Sequence, residues 1–442
     1  MSNLTTLNSS TQHQLTSGWH DGPDGRGTFD IIWTSFFTIF VCTFTVLHLN
    51  LPAPTDTNRQ ILLRKIKWMV FAIVIPELVT ASAFAQRVAA RTSVQELSRM
   101  HHLRSVGRDE REIRLDHWSM RHAFYWNMGG VWVKPKGDEA AFPIDAKLQA
   151  LLVWHDIVQL PEITEREIWD KSKKDRLAKV LACGQIGWLL TQCIARVIQG
   201  LPISSLEVAT VGFALPSLAT FVLWFNKPND IETPTVIALD FTMNEIADKL
   251  GGLYDSTAEV KDTPLDSVRP INKPSATSEV VLKVAWWPYR SRFLGPANRI
   301  RNDIFALKYT ILDQLFVSSV WIGYGAVHFA AWNFSFPTEV EKYVYRISVS
   351  LMMGSMVAAW VVGNRKFYLI FSCISSRLQK SCRRVSDERK QVSTVQIVLG
   401  AATGLAYLIA RLCIIAEVLA SLRALPKGVF ETVEWTKFVP HV

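Results

Sequence analysis

The stretch AKVLACGQIGWLLTQCIARVI (178–198), the turn QGLP (199–202) and the stretch ISSLEVATVGFALPSLATFVLWF (203–225) decide the fold class. Each flanking run is about 20 residues of mostly apolar side chains, and at ~1.5 Å per residue each reaches across a hydrocarbon core of ~30 Å as α-helix. The four residues between them leave no room for anything but a tight turn. The two runs are therefore expected to form an antiparallel transmembrane hairpin.

Further runs of the same kind lie on both sides of it. One spans Ile31 to Leu49 and is closed by Leu-Pro-Ala-Pro at 51–54, and another spans Lys67 to Ala85 and contains Pro76 and Glu77. Beyond the hairpin follow Tyr309–Trp332, Ile347–Val362 and Ile397–Leu419. The expected fold is an all-α, polytopic transmembrane helical bundle of about seven spans with two long, partly helical polar loops. A polar N-terminus (1–30) precedes spans one and two (31–86). The first long loop (87–177) leads to the hairpin (178–225), the second (226–308) to spans five to seven (309–420), and a tail (421–442) closes the chain. Bulk composition alone does not give this reading. Hydrophobic residues are 49% and charged residues 20% of the 442, with a mean hydropathy of +0.15, so the clustering of apolar residues carries it.

The formal net charge of +9 sits in loops beside the apolar runs, which points to the positive-inside rule and away from nucleic acid. Basic residues gather at Arg59, Arg64, Lys65 and Lys67, at Lys171–Lys179, and between Arg365 and Lys390. Sequons, candidate N-glycosylation sites, stand at Asn3, Asn8 and Asn333. With seven crossings these signals conflict. The N-terminus and the Asn333 loop both belong outside, yet an odd count separates them, so an eighth crossing is required between 87 and 170 unless the N-terminal sequons are chance. His117–Val133 (HWSMRHAFYWNMGGVWV), read as an interfacial or re-entrant segment, and Ala146–Leu160 are the two candidates. Trp33, Trp224, Trp332 and Trp360 at run ends read as an interfacial aromatic belt.

Among other local signals, Thr164 with Glu167 is a capping box expected to open the helix feeding the third span. An amphipathic helix is expected near Phe241–Leu250, a Pro-containing linker around 264–274, and an aromatic–basic anchor at VAWWPYRSRF (284–293). Small-residue steps at Gly184/Gly187, Gly354/Ala358 and Gly400/Gly404 read as close helix packing. The six cysteines form no CxxC and stand at no ligand spacing with His, so neither a disulfide framework nor a metal site is expected. No phosphate loop, GxSxG elbow or HExxH occurs, and no cofactor is implied.

Ionisable side chains within the spans are the candidate site, because each costs roughly 2.5–3.5 kcal/mol at mid-bilayer and needs a partner or a cavity. They are Glu77, Glu207, Asp313, His328, Arg411 and Glu417. Arg411 cannot lose its charge, and Glu417, six residues on, lies about 240° round the helix. Arg411 is thus expected to meet a carboxylate from another helix, with Glu77 the deepest. This is either a substrate, ion or proton site or a buried pair fixing bundle register. Asp313 and His328 are ~22 Å apart along one helix and cannot share a site.

Several stretches carry a family resemblance: LNLPAP (49–54), RKIKWM (64–69), PELV (76–79), HWSMRHAFYWNMGG (117–130), LPEITEREIWDKSKKD (160–175), QCIARVIQGLPIS (192–204) and LWFNKPNDIETPT (223–235). Through them the chain resembles an uncharacterised family of fungal polytopic membrane proteins. The resemblance implies a multi-pass plasma-membrane or endomembrane location, but no activity or site residue. Transport, sensing or scaffolding in the lipid bilayer is the leading expectation. The alternative is an intramembrane enzyme acting on a small hydrophobic metabolite, a lipid or isoprenoid, by terpene-cyclase-like acid chemistry on the buried carboxylates.

Overall fold

The computed structural model describes residues 14–22, 25–105, 118–137, 140–159, 161–172, 175–251, 299, 300, 302, 311–363 and 394–438. The long helices are α1 (Thr28–Val46), α2 (Asn58–Val74), α3 (Pro76–Ser105), α7 (Asp175–Ile198), α8 (Ser205–Leu223), α10 (Ile311–Ala330), α11 (Glu339–Gly363) and α12 (Thr394–Ala420). Between α3 and α7 lie the short α4 (Met120–Asn127), α5 (Ala146–Trp154) and α6 (Glu165–Lys171), and α9 (Met243–Leu250) follows α8. Short strands are β1 (Leu15–Ser17), β2 (Val131–Lys134), β3 (Phe142–Pro143), β4 (Thr235–Ala238) and β5 (Ala424–Pro426).

Among the described residues, five helices are long and apolar enough to cross a membrane: α1, α7, α8, α11 and α12. The apolar stretch of α10, Leu315–Ala330, is shorter. α8 is the centre of the bundle, packed by α1, α3, α7 and α10, while α11 and α12 form a close antiparallel pair. The outward faces remain apolar. On α1 the side chains of Phe29, Trp33, Phe36, Phe37, Phe40 and Phe44 are all exposed. Such a surface is stable only against an apolar surrounding.

The expected second span, Lys67–Ala85, is not one helix. α2 and α3 meet at Ile75 with a bend of 112°, because Pro76 has no N–H to give Ala72 and its ring excludes a continuing helix. α3 then turns back. Lys65 on α2 pairs with Asp230 beyond the end of α8, and Arg87 on α3 donates to the carbonyls of Val222 and Leu223 at that same end. Both arms of the bent pair therefore open toward one end of the bundle, with the break pushed into its interior.

That end carries a compact domain built from both long polar segments. β2 pairs antiparallel with β3 and parallel with β4, from Val131 opposite Thr235 to Lys134 opposite Ala238. Its core gathers Tyr125, Trp126, Val131, Val133, Phe142, Leu152, Ile157, Ile168, Ile231 and Ile246. The described part of 117–133 is therefore α4 and β2 of this core, and Ala146–Leu160 supplies α5. Neither α4 nor α5 is long enough to cross a membrane as a helix. A Cβ on Gly130 would stand 2.3 Å from the Tyr125 ring, so only glycine lets β2 start there. Thr164 and Glu167 do form a capping box, but it opens the separate seven-residue α6. The amphipathic helix is Met243–Leu250, closed by Gly251 at φ 53°.

The opposite end holds both terminal segments. β1 pairs antiparallel with β5, and Arg423 pairs with Glu341 at the start of α11. Trp224 leaves the expected aromatic belt: it is buried, tilted against His48 and donates to Gln86 Oε1 at 3.0 Å. The packing glycines also differ from those expected. Gly184, Gly187 and Gly354 face open space, whereas Gly212 and Gly325 stand against side chains of neighbouring helices. The linker, the 284–293 anchor, the basic stretch 365–390, and Asn3 and Asn8 lie outside the described residues. Asn333 is exposed in the α10–α11 turn, where it accepts from Arg346 Nη2 at 3.2 Å.

Candidate functional site

Tyr407 and Arg411 stand one turn apart on α12 and meet the α2–α3 break. A continuous helix would give the Ile73 carbonyl to the N–H of residue 77, and the bend removes that donor. Arg411 Nη2 replaces it at 3.3 Å. The guanidinium thus faces the carbonyl end of α2, and Glu77 lies in the first turn of α3, each at the helix end whose dipole favours its charge. Tyr407 donates to Glu77, 2.8 Å from both carboxylate oxygens.

Arg411 and Glu77 share this buried cluster without forming an ion pair with each other. The expected carboxylate partner of Arg411 is replaced by a ring nitrogen, since Nη1 lies 3.0 Å from His328 Nε2. A guanidinium has only donors. His328 must therefore accept at Nε2 and carry its proton at Nδ1, which reaches the Tyr324 carbonyl at 3.0 Å. Tyr345 Oη donates to the His328 carbonyl at 3.0 Å, and the Arg411 guanidinium lies 5.2 Å from the centroid of the Tyr324 ring. Gly212 of α8 leaves the space for the imidazole: a Cβ there would stand 2.8 Å from His328 Cε1. Two donors in this cluster, Arg411 Nε and Tyr324 Oη, are buried without a partner among the described residues.

The remaining carboxylates stay apart from it. Glu207 opens α8 at the end holding the termini, where it closes a capping box with Ser204 and pairs with Arg26. Asp313 is in the first turn of α10, at the far end from His328, and its side chain lies outside the described residues. Glu417 is half-buried, with one oxygen unpartnered. A small cleft beside the break is lined by Cys42, Thr43, Ala72, Pro76, Pro216 and Thr220, among others. Among the described residues no group of His, Cys, Asp and Glu is arranged to hold a metal ion.

Two buried cations were not expected from the sequence. Arg196 of α7 donates to the carbonyls of Pro202, Gly428, Val429 and Glu431 at 2.8–3.0 Å, tying the α7–α8 turn to the tail. Lys227, beyond the end of α8, donates to Asn50 Oδ1 at 2.9 Å and Gln86 Oε1 at 2.8 Å. Its ammonium lies 4.8 Å from the centroid of the Trp224 ring. It meets no carboxylate among the described residues, and burial holds its amine well below the usual lysine range. Arg196 stands in the last turn of the apolar run 178–198, where a cation reads as one that flanks the span, and Lys227 lies just beyond the run 203–225. Tyr324 and Tyr407 were missed for a different reason, because a tyrosine in a span reads as packing or interface.

A family model described as "Family of unknown function (DUF8562)" matches residues 2–262 and 313–442, leaving out 263–312 with the whole Pro-containing linker. No curated protein and no solved structure matches the chain.

Proposed function

We propose that this chain, which belongs to the family of unknown function DUF8562, is a multi-pass membrane transporter that crosses the bilayer six times around one re-entrant helix pair. The crossings in this reading are α1, α7, α8, α10, α11 and α12. The pair α2–α3 enters from the domain end and returns to it. An even count resolves the conflict between charges and sequons: both termini and Asn333 then share one face. The basic stretches 59–67, 171–179 and 365–390 share the other, which is cytoplasmic by the positive-inside rule.

The observation that carries the transport reading is the break at Ile75–Pro76, buried beside Arg411 and Glu77. Irregular backbone at bilayer depth survives only where protein buries it or where it lines a cavity. Transporters use such discontinuous helices, whose ends and freed carbonyls face the solute and the coupling ion. A protein that only scaffolds needs neither the break nor an arginine without a carboxylate. The dispersal of Glu77, Glu207 and Asp313 removes the motive for acid catalysis in one closed pocket.

A carrier must open this tip to water, so its test is accessibility. Ile73→Cys in sealed, right-side-out and inverted membrane vesicles is treated with a membrane-impermeant methanethiosulfonate reagent, with Arg59→Cys as an exposed control. Reaction at position 73 from either face is expected. Failure to react from both faces, while position 59 labels, would overturn transport and leave a scaffold.

A further inference from the structure

We propose that Arg411 and Tyr324 form a binding site for a small monovalent anion, a halide or a short carboxylate, filled together with a proton on Glu77. The inference deepens the transport reading by naming a solute class, and rests on that reading only for what the binding accomplishes.

The argument is one of unmatched donors. Arg411 carries five N–H groups and a charge it cannot lose. One donor group goes to His328 and one to the Ile73 carbonyl, and Nε has no acceptor among the described residues. Tyr324 Oη is fully buried and also without a partner, on the ring that lies against the guanidinium. A buried donor left unpaired is costly, and two beside a cation with no carboxylate in contact call for one shared, negatively charged acceptor. A cation at these donors would face the guanidinium and find no acceptor in Arg411 Nε or its remaining N–H groups. A large anion is excluded by the tight contacts of Gly212 with His328 and of Gly325 with Met353.

Charge balance supplies the coupling. With Glu77 ionised, its charge offsets that of Arg411. An arriving anion leaves the site with one net negative charge in a low-dielectric interior, which a proton on Glu77 cancels. The groups facing Glu77 are Tyr407 and Arg411 from α12, with Tyr324 and His328 of α10 and Tyr345 of α11 beyond them, while α8 brings Gly212. His328 accepts from Arg411 and is not free to take that proton. Tyr407 Oη, now donating to the carboxylate, turns to accept from the protonated acid.

The test follows thermal unfolding of the purified full-length protein in detergent by Trp fluorescence. Sodium chloride and sodium acetate are titrated against sodium gluconate at constant ionic strength, at pH 5.5 and 7.5. Saturable stabilisation by chloride or acetate but not gluconate is expected, tighter at pH 5.5, and which of the two saturates identifies the anion. Tyr324→Phe keeps the ring and should weaken binding about five- to tenfold. Glu77→Gln, permanently neutral, should bind tightly at both pH values and erase the pH dependence. No anion-specific stabilisation of the native protein would overturn the proposal, as would equal binding by Tyr324→Phe with pH dependence surviving in Glu77→Gln. Binding with an unreactive Ile73→Cys would keep the site and sink transport. A reactive Ile73→Cys without anion binding would do the reverse.

Discussion

Lys227 is a single residue whose environment makes a measurable pH signature. Folded, its amine is held below the usual lysine value; unfolded, it titrates near 10.4. As pH falls through that unfolded value, the unfolded chain takes up a proton that the folded chain does not, so stability declines. The decline stops once pH passes below the depressed folded value. Its slope is at most about 1.4 kcal/mol per pH unit, one proton's worth. Melting temperature between pH 8 and 11 should therefore rise with pH in the native protein, and Lys227→Met should remove that component of the slope. A Met variant with an unchanged profile would mean that the amides and the Trp224 face keep the amine charged. At Gly212 the argument is steric. Gly212→Ala puts a methyl 2.8 Å from the His328 ring, and the packed bundle cannot yield freely, so a loss of about 1–3 kcal/mol is expected. Tm should fall accordingly, and anion stabilisation should weaken with it, because the displaced imidazole holds Arg411.

At the scale of elements, α3 is held against α8 by few polar contacts. Thr80 Oγ1 lies 3.1 Å from the Pro216 carbonyl and 2.9 Å from Thr220 Oγ1, while Thr220 keeps its own bond to Pro216 at 2.7 Å. Thr80→Val removes the hydroxyl at nearly constant volume and should cost about 1 kcal/mol. Hydrogen exchange should quicken over residues 76–87 and stay unchanged in α11 and α12; uniform quickening would mean that α3 does not open on its own. What the sequence made legible follows from where its information is local. The α7–α8 hairpin was legible because two apolar runs flank four turn residues, and α6 because Thr164 and Glu167 cap it. The α2–α3 break was not, since hydropathy averaged along the chain is the same for a helix that crosses and for one that folds back. Pro76 marked a kink, but the contacts that hold the bent pair come from Arg411 and from Pro216 and Thr220 of α8, all distant in sequence. The domain was hidden for the same reason. β2 and β4 are four residues each, 100 residues apart, and neither announces its partner. Arg411 and Glu77 were identifiable as buried charges from their depth in apolar runs. That Tyr407 and His328 intervene between them depends on the rotation of α10 and α12, which no single run encodes.

At the scale of the whole molecule, the two ends of the bundle make different demands on the chain. At one end Arg196 gathers four carbonyls from the α7–α8 turn and the tail, and β1 closes on β5. Both terminal segments are thereby fixed beside the α10–α11 turn that holds Asn333. At the other end the domain unites the long segments that leave α3 and α8. Six crossings with a re-entrant pair, seven crossings, and eight with a further span after α3 then differ in where three positions lie. Arg59, Gln95 and Lys427 are all exposed, so cysteine at each is readable by an impermeant reagent in oriented vesicles. The re-entrant arrangement puts 59 and 95 on one face and 427 on the other. Seven crossings would separate 59 from 95 and place 427 with 59, because an odd count puts the two termini on opposite faces. Eight would separate 59 from 95 but leave 427 with 95. Labelling of 59 and 95 together from the cytoplasmic face, with 427 and a glycosylated Asn333 opposite, is the expected result. Any labelling that divides 59 from 95 returns α2 and α3 to a single crossing and removes the buried tip from which the anion site is built.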